Sequence, residues 1–290
     1  MVSLTDTWEG GLPSHPRGGS SALAVVAGLV VAASLVTTAA FAVKFGEPDN
    51  GRHPYVGLMV AYDASWTPLW RCTGSLVDAD TVLLAAHCTE APAAHAAIWF
   101  DEDVTVTAHP AYPNPLDADA TGTPIPHPGW NGALTIPNTH DVGVVQLDTS
   151  LPGPYGTLAP AGYLDQLATR RGKQNVELVV TGYGLQSVKP RESRIRVRQT
   201  GTATLVNLRS NLTDGYNVQT SNNPGLGHGG SGGTCFGDSG GPVLSFDGTR
   251  EVIVGVNSFV MNANCNGSSF AYRVDIADAR SFLSGYTAVP

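Results

Sequence analysis

From Gly46 onward the chain is made of short apolar runs separated by clusters of Gly, Pro, Asn and Asp. The runs 55–62 and 70–77 are typical, because both are rich in Val, Leu and aromatic residues and a turn-forming stretch divides them. Runs this short favour strands over helices, and strands divided by such turns predict an antiparallel all-β protein. A chain of 290 residues has room for one large all-β domain or two small ones, and Pro152-Gly153-Pro154 marks the predicted seam.

The stretch from Thr234 to Val243 reads TCFGDSGGPV and contains the candidate nucleophile, Ser239. Gly237 and Gly240 allow a tight turn, in which the serine hydroxyl stands clear of its own backbone and nearby N–H groups point to one spot. Such a spot can bind an oxyanion. The alternative is a glycine-rich surface turn, of which residues 225–233 are an example just upstream.

Serine is a poor nucleophile and needs a base, usually a histidine that a buried carboxylate orients. His87 supplies this base in LLAAHC, directly after an apolar run. Asp141 supplies the carboxylate in HDVGVVQL, at the start of another apolar run. The neighbouring His140 would point to the opposite face of an extended strand, so we expect it on the surface.

Two other hydrolase arrangements use the same residue types. Residues 237–241 satisfy the G-x-S-x-G elbow of α/β-hydrolases, but the histidine of that fold follows the serine, and none of the eight histidines follows Ser239. The subtilisin order needs an aspartate ahead of the histidine. The candidate there, Asp63, lacks a glycine-supported strand end, so both readings are disfavoured.

Together, LLAAHC, HDVGVVQL and GDSGGPV resemble the motifs of the trypsin-like (chymotrypsin-fold) serine peptidase family, here of the bacterial secreted type. The resemblance implies an all-β fold of two six-stranded antiparallel β-barrels packed together, with a short C-terminal helix. The first barrel would take residues 43–153, with His87 and Asp141, and the second residues 154–290, with Ser239 and the specificity pocket. The implied activity is that of a serine endopeptidase, a hydrolase that works through an acyl-enzyme without a cofactor.

The resemblance also implies how substrate is bound. The N–H groups of Gly237 and Ser239 would form the oxyanion hole. The pocket floor falls on Gly233 rather than on an aspartate, so cleavage after Arg or Lys lacks a counter-charge. Bulky residues in the pocket wall predict a shallow pocket that prefers small apolar residues before the scissile bond. The residues that would line it are Ser258, Val260 and Phe270.

Four cysteines allow three disulfide pairings. The resemblance implies Cys72–Cys88, beside the histidine, and Cys235–Cys265, beside the serine. The alternatives are free thiols or a structural zinc site, for which no C-x-x-C spacing exists. Disulfides indicate an oxidising compartment. The acidic residues 101–103 are expected to form a solvated turn rather than a calcium loop, so no metal is predicted.

Residues 22–43 contain no charged side chain, which indicates either a signal peptide or a membrane span. Ala40-Phe41-Ala42 fits the A-x-A cleavage rule, and Thr38-Ala39-Ala40 is a second plausible cleavage site. We favour a signal peptide over residues 1–42, with a retained membrane anchor as the alternative. The leading segment carries a single Arg and no Lys, which is fewer positive charges than a signal peptide usually has.

Cleavage after Ala42 would make Val43 the N-terminus of the mature protein. In the family that the chain resembles, such a freed amine folds inward and pairs with the aspartate before the nucleophile, which is Asp238 here. A buried carboxylate without a cation costs about 3 to 5 kcal/mol. The pair would therefore decide whether the oxyanion hole forms.

Charge and composition narrow the remaining possibilities. The chain has 16 Lys and Arg against 24 Asp and Glu, a net charge of −8, which disfavours a nucleic-acid partner because that binding rests on basic residues. The predicted partners are protein or peptide substrates, with the membrane only if the leader is retained, and we expect a monomer.

Residues 109–140, rich in Pro, Asp and Gly, predict a long surface connection that borders the site. The rival hypothesis is a catalytically silent binding protein on the same scaffold.

Overall fold

The computed structural model describes residues 2–3, 6–7, 43–167, 176–188, 192–193, 195–222 and 232–290. The predicted leader and its cleavage site at Ala42 lie outside these ranges, except for the two short pieces near the N-terminus. None of the helices inside the ranges has the length and apolar character of a membrane span.

The strands are β1 (Val2–Ser3), β2 (Asp6–Thr7), β3 (Glu47–Pro48), β4 (Val56–Tyr62), β5 (Pro68–Leu76), β6 (Thr81–Leu84), β7 (His95–Trp99), β8 (Ala120–Pro126), β9 (Gly143–Leu147), β10 (Glu177–Gly182), β11 (Gln199–Asn207), β12 (Asn217–Ser221), β13 (Pro242–Phe246), β14 (Glu251–Val260) and β15 (Ser268–Arg273). The helices are α1 (Ala86–Thr89), α2 (Tyr163–Gln166) and α3 (Ala277–Leu283).

The strands form two closed barrels. In the first barrel the order is β5-β4-β7-β8-β9-β6, and β6 pairs back to β5. In the second the order is β14-β13-β10-β11-β12-β15, and β14 pairs back to β15. All of these named strand pairs are antiparallel. The predicted architecture of two six-stranded barrels with a short C-terminal helix is therefore confirmed.

Both faces of many strands are buried, because each barrel has its own core and the two barrels also pack against each other. Every residue of β4 is buried, for example. A shared apolar cluster joins Leu83 and Val144 of the first barrel to Leu244 and Val256 of the second, and Leu283 of α3 belongs to it. Such burial explains why the sequence shows apolar runs here rather than a regular alternation of apolar and polar residues.

One strand lies where composition predicts a connection. Within residues 109–140, β8 pairs with β7 over residues 120–122 and with β9 over residues 122–126. Beyond residue 122 the strand has a single neighbour, so Pro124 and Pro126 can turn their missing N–H toward the open edge. The sequence pattern did not predict this strand, because it contains glycine and proline, which are typical of turns and loops.

A buried arginine links the two barrels. Arg198 directly precedes β11 of the second barrel and is 2% exposed. Its Nη1 donates to the carbonyls of Val56 and Phe100 in the first half of the chain, at 2.9 Å each, and its Nε donates to Asp49 at 3.0 Å. Burial alone would raise the pKa of Asp49, but hydrogen bonds from His53 and the charges of His53 and Arg198 outweigh it and lower the pKa to about 2.

Replacing this arginine should destabilise the protein strongly. We expect Arg198→Met to lower the free energy of unfolding by about 3 to 5 kcal/mol, because it leaves an ionised, buried Asp49 without its arginine and removes a donor from the carbonyls of Val56 and Phe100. Urea unfolding monitored by circular dichroism measures the loss. The matched control is Arg52→Met, whose ion pair with Glu47 at 2.8 Å is exposed, and which should cost no more than about 1 kcal/mol. Equal losses in the two variants would contradict the role given to Arg198.

Candidate active site

Paired strands bring His87 and Asp141 together. β6 and β9 pair with Leu84 opposite Gly143, so the segment after β6 and the segment before β9 meet at one end of the first barrel. His87 lies on α1 directly after β6, with its Nδ1 2.8 Å from Oδ2 of Asp141. The backbone N–H of His87 donates to Oδ1 of the same carboxylate at 3.0 Å. Two hydrogen bonds therefore fix the orientation of the imidazole.

Asp141 is a fully buried, ionised carboxylate. Burial alone would raise its pKa, but the charge of His87 and the hydrogen bonds from His87 and Ser258 outweigh burial and hold the pKa below its ordinary value. Ser258 donates its hydroxyl to Oδ2 of Asp141. The sequence predicted Ser258 only as a pocket residue, which stays a prediction, and it did not indicate that the side chain supports the carboxylate.

The loop that carries Ser239 packs against the segment that leads to His87. The N–H of Thr73 donates to the carbonyl of Ser239 at 2.8 Å. Gly240 has a φ of +76°, and a Cβ there would lie 2.5 Å from the carbonyl oxygen of Thr73 and 3.0 Å from the nitrogen of Ala85. Only glycine allows so close an approach, which is why the serine can lie beside a strand of the other barrel.

The reacting atoms of the candidate triad are not used in structural hydrogen bonds. Oγ of Ser239 and Nε2 of His87 are both buried, and neither has a hydrogen-bond partner among the described residues. The backbone N–H groups of Gly237 and Ser239 likewise donate no hydrogen bond within the part of the chain that the structure describes. Buried polar groups are nearly always paired, so a set of unpaired ones at one place points to a functional site.

Asp238 lies behind the serine loop, fully buried. Its carboxylate accepts hydrogen bonds from the N–H groups of Gly184, at 2.8 Å, and Cys235, at 2.9 Å. Burial raises its pKa to about 7, more than these hydrogen bonds and the charge of Arg71 lower it. A Cβ at Gly182 or Gly184 would come within 2.4 Å of the carboxyl group, so both glycines make room for it.

The predicted partner of Asp238, Val43, is an internal residue in the uncleaved chain. It is buried in the core of the second barrel with a φ of +48°, and Phe45 has a φ of +61°. Neither residue is a glycine, so both backbones adopt a conformation that costs free energy. Lys44 between them forms an isolated bridge with Gly233. The pair between Val43 and Asp238 stays a prediction for a chain that starts at Val43.

The predicted pocket residues lie close to one another in the second barrel. Gly233 lies against Asn222, whose Oδ1 would be 2.3 Å from a Cβ at that position. The ring of Phe270 stacks on that of Phe259, with centroids 4.6 Å apart and planes within 4°. Val260 is fully buried beside the Cys235–Cys265 pair. Sequence reasoning missed Asn222 and Phe259, which contact the predicted pocket residues Gly233 and Phe270.

Both predicted disulfides are confirmed. Cys72 of β5 is bonded to Cys88 of α1, next to His87. Cys235, four residues before Ser239, is bonded to Cys265. Each disulfide closes a loop in the chain and typically stabilises the folded state by about 2 to 4 kcal/mol. The two bonds therefore hold the histidine segment and the serine loop in place.

Trp130 is a site residue that sequence reasoning did not single out. Its ring centroid lies 6.3 Å from that of His87, and its Nε1 donates to Glu90 at 2.7 Å. Glu90 directly follows α1, so this hydrogen bond holds the tryptophan over the histidine. The residue belongs to the loop predicted to border the site, but that composition could not indicate which aromatic side chain would reach it.

A second cluster of histidines and a carboxylate lies next to Asp141. His140, predicted on the surface, is partly buried: its Nδ1–H donates to Oδ2 of Asp278 at 2.9 Å, and its ring stacks on that of His127. Nδ1 of His127 accepts the N–H of Gly129 at 2.9 Å, so the proton of its neutral ring is on Nε2, the nitrogen that faces Asp278. A nitrogen that carries a proton offers no lone pair to a metal, and we interpret this cluster as a hydrogen-bond network.

Comparison with known proteins places this geometry among its relatives. Residues 45–280 match the protein family named Trypsin. The fold is similar to the solved structure of HL collagenase, with a TM-score of 0.61 and 18% identity over 84% of this chain and 98% of that one. It is also similar to that of HBP, with a TM-score of 0.58 and 20% identity over 86% and 99%. At these identities the two structures show a shared fold.

Proposed function

The chain belongs to the Trypsin family, and from that premise we propose that it is a serine endopeptidase that cleaves peptide bonds through an acyl-enzyme. The observation that carries the proposal is the pair of hydrogen bonds from His87 to a buried, ionised Asp141, beside a serine loop that packs on the same segment. All members of the triad are present. The alternative of a catalytically silent binding protein is therefore not favoured.

The proposed reaction follows from the geometry. Oγ of Ser239 attacks the substrate carbonyl carbon while Nε2 of His87 takes the hydroxyl proton, and Asp141 holds Nδ1–H so that Nε2 is free to accept it. The oxyanion of the tetrahedral intermediate is bound by the N–H groups of Gly237 and Ser239. His87 then gives its proton to the leaving amine, and an ester remains on the serine. Water attacks this ester by the same route and releases the acid.

We propose a shallow pocket that takes small apolar side chains before the scissile bond. Gly233 brings no charge to the predicted floor, and Phe270 and Phe259 fill space with stacked rings. An arginine in such a pocket would be buried without a counter-charge, which costs about 3 to 5 kcal/mol.

Peptide anilides that differ in that one residue test both the activity and this preference. We expect kcat/KM to be at least about 10²-fold higher after Ala or Val than after Arg, because a lone buried cation is so costly. The common leaving group makes each peptide the control for the others. Faster cleavage after Arg would contradict the proposed shallow pocket. If no peptide is cleaved, the proposed peptidase activity is contradicted.

We also propose that the protein is exported and that cleavage after Ala42 frees the Val43 amine to pair with Asp238. Two disulfides in the described chain suit an oxidising compartment. The positive φ values at Val43 and Phe45 show strain that a free N-terminus could relieve. N-terminal sequencing of the exported protein should find Val43 first.

The pH dependence of stability reports on this pair. In the uncleaved chain the free energy of unfolding should fall as pH rises from about 4 to about 7, because folded Asp238 keeps a proton that the unfolded chain has already lost. The fall is up to about 1.4 kcal/mol per pH unit. Urea unfolding at several pH values should show it reduced both in Asp238→Asn and in a chain that starts at Val43, where the amine stabilises the carboxylate. An unchanged slope in Asp238→Asn would contradict the assignment.

A further inference from the structure

A buried histidine, His53, lies between two carboxylates at the junction of the barrels. It precedes β4 of the first barrel and is 2% exposed. Its Nδ1 is hydrogen-bonded to Oδ1 of Asp49, and its Nε2 lies 2.8 Å from Oε2 of Glu251. Glu251 is the first residue of β14 in the second barrel. The imidazole therefore joins the start of one barrel to a strand of the other.

Both ring nitrogens of His53 need a proton in this arrangement. An ionised carboxylate accepts hydrogen bonds and donates none, so each nitrogen that faces one must carry an N–H. Thr181 agrees with this assignment at Nδ1, 3.3 Å away, because its hydroxyl donates to Thr200 and can only accept from the imidazole. A neutral imidazole has one N–H and one lone pair, and the lone pair would repel one of the carboxylates. The geometry therefore requires an imidazolium.

The charges around His53 suit an imidazolium. The described charged or titratable groups that face it are Asp49 and Arg52 of its own segment, Tyr55 before β4, Arg198 before β11 and Glu251 of β14. Arg198 bonds to the other oxygen of Asp49, Oδ2, at 3.0 Å, and burial raises the pKa of Tyr55, so its phenol is neutral. Burial alone would lower the pKa of His53, but the hydrogen bonds to the two carboxylates and their charges outweigh it and raise the pKa above its ordinary value.

The carboxylate of Glu251 gives the buried proton a route to solvent. Its side chain is 36% exposed, whereas that of Asp49 is fully buried. The proton on Nε2 can therefore leave when the pH rises, while Nδ1 keeps its N–H toward Asp49. The lone pair on Nε2 then faces Glu251 across 2.8 Å, so this contact changes from attractive to repulsive.

We propose that His53 is a proton-dependent clamp between the two barrels, closed while both ring nitrogens carry a proton and opened when Nε2 loses its own. The proposal does not depend on the peptidase activity. The clamp holds the segment that leads from Val43 to the first barrel, which β3 also ties to the start of β11. An open clamp frees the end of this segment next to β4, and the folded protein loses stability at alkaline pH.

The sign of this pH dependence follows from the protons bound. An unfolded histidine loses its proton near pH 6.5, while folded His53 keeps it to a higher pH. Between these two pH values the folded chain binds one more proton, so the equilibrium constant for unfolding should rise by up to about tenfold per pH unit. Below about pH 6.5 the clamp contributes its full stability. The window differs from that of Asp238, which ends at about pH 7.

Urea unfolding of the full chain between about pH 6.5 and about pH 9, monitored by circular dichroism, tests the clamp. We expect this rise in the parent protein and its loss in His53→Gln, which has no proton to release in this range. The matched control is His109→Gln, because His109 also lies between two carboxylates, Asp101 at 3.1 Å and Asp117 at 3.0 Å. These carboxylates are 57% and 28% exposed, so water screens them and the control should keep most of the rise.

A nuclear magnetic resonance titration of the Cε1–H of His53 measures the same proton directly, and it serves even if His53→Gln does not fold. In the parent protein the imidazole should titrate above about pH 6.5. In Glu251→Gln it should titrate at a lower pH than in the parent, because an amide replaces one carboxylate.

Four results would overturn the clamp. One is a rise in the unfolding constant that His53→Gln leaves unchanged, and another is an equal loss of that rise in His109→Gln. The third is a folded His53 that titrates at or below about pH 6.5, since its imidazole would then be neutral where the clamp requires it charged. The fourth is a titration that Glu251→Gln does not shift, because Glu251 would then have no part in holding the proton.

Discussion

Ser239→Ala is expected to abolish peptide hydrolysis, with a loss in kcat of about 10⁶-fold, the size found when a serine peptidase loses its nucleophile. The hydroxyl is the atom that forms the acyl-enzyme, and no other described serine lies in the loop that packs against the histidine segment. Labelling by a fluorophosphonate should disappear with it. Hydrolysis of a peptide anilide with Ala before the scissile bond measures the loss in a chain that starts at Val43.

The control for this substitution is Ser284→Ala, at the exposed end of α3. It should leave kcat within about twofold, since exposed positions away from a site tolerate such changes. Circular dichroism of the two variants establishes that both are folded. Hydrolysis by Ser239→Ala at the rate of the parent protein would show that the reaction, if any, uses a different nucleophile.

Asp141→Asn should be the second most damaging substitution, lowering kcat by about 10⁴-fold, a magnitude we borrow from the serine-histidine-aspartate triad of this family. The shape of the side chain hardly changes, but an amide can donate to Nδ1 of His87, which moves the ring proton to Nε2. A protonated Nε2 cannot take the proton of Ser239. The same anilide assay measures the effect.

Asp278→Asn provides a closely matched control, because Asp278 also lies at hydrogen-bond distance, 2.9 Å, from Nδ1 of a histidine, His140. That histidine faces α3 and not the serine, so we expect kcat to change less than about threefold. A loss as large as that of Asp141→Asn would mean that the second cluster takes part in the reaction. Full activity in Asp141→Asn would mean that His87 needs no carboxylate partner.

The candidate triad was largely accessible from local motifs. LLAAHC, HDVGVVQL and GDSGGPV each carry their chemistry within a few residues, and their order excluded two other hydrolase arrangements. The barrels and both disulfides were expected through the family resemblance that these motifs carry, and the structure confirms them. Motifs are readable because each one specifies a turn or a strand end that its own residues enforce.

Other features depend on contacts between distant parts of the chain. Arg198 reads in the sequence as one of several alternating arginines, yet its side chain joins the barrels by bonding to carbonyls about 100 to 140 residues away. The ring of Trp130 reaches His87 only because Glu90 fixes its indole N–H. No local sequence pattern predicts such a contact, because it forms only between residues that folding brings together from distant parts of the chain.

The sequence by itself determined the all-β pattern, the identity and order of the candidate nucleophile, base and carboxylate, and the lack of a charge at Gly233. The tertiary structure alone decided that Asp238 is buried against Gly184 with a raised pKa, that Ser258 supports Asp141, and that Arg198 joins the two barrels. The physical reason is that the two sets of features depend on interactions over different separations in the sequence. Turn chemistry and apolar periodicity act between neighbours in the chain, whereas burial, pKa and strand addition depend on which distant groups surround a residue once the barrels have closed.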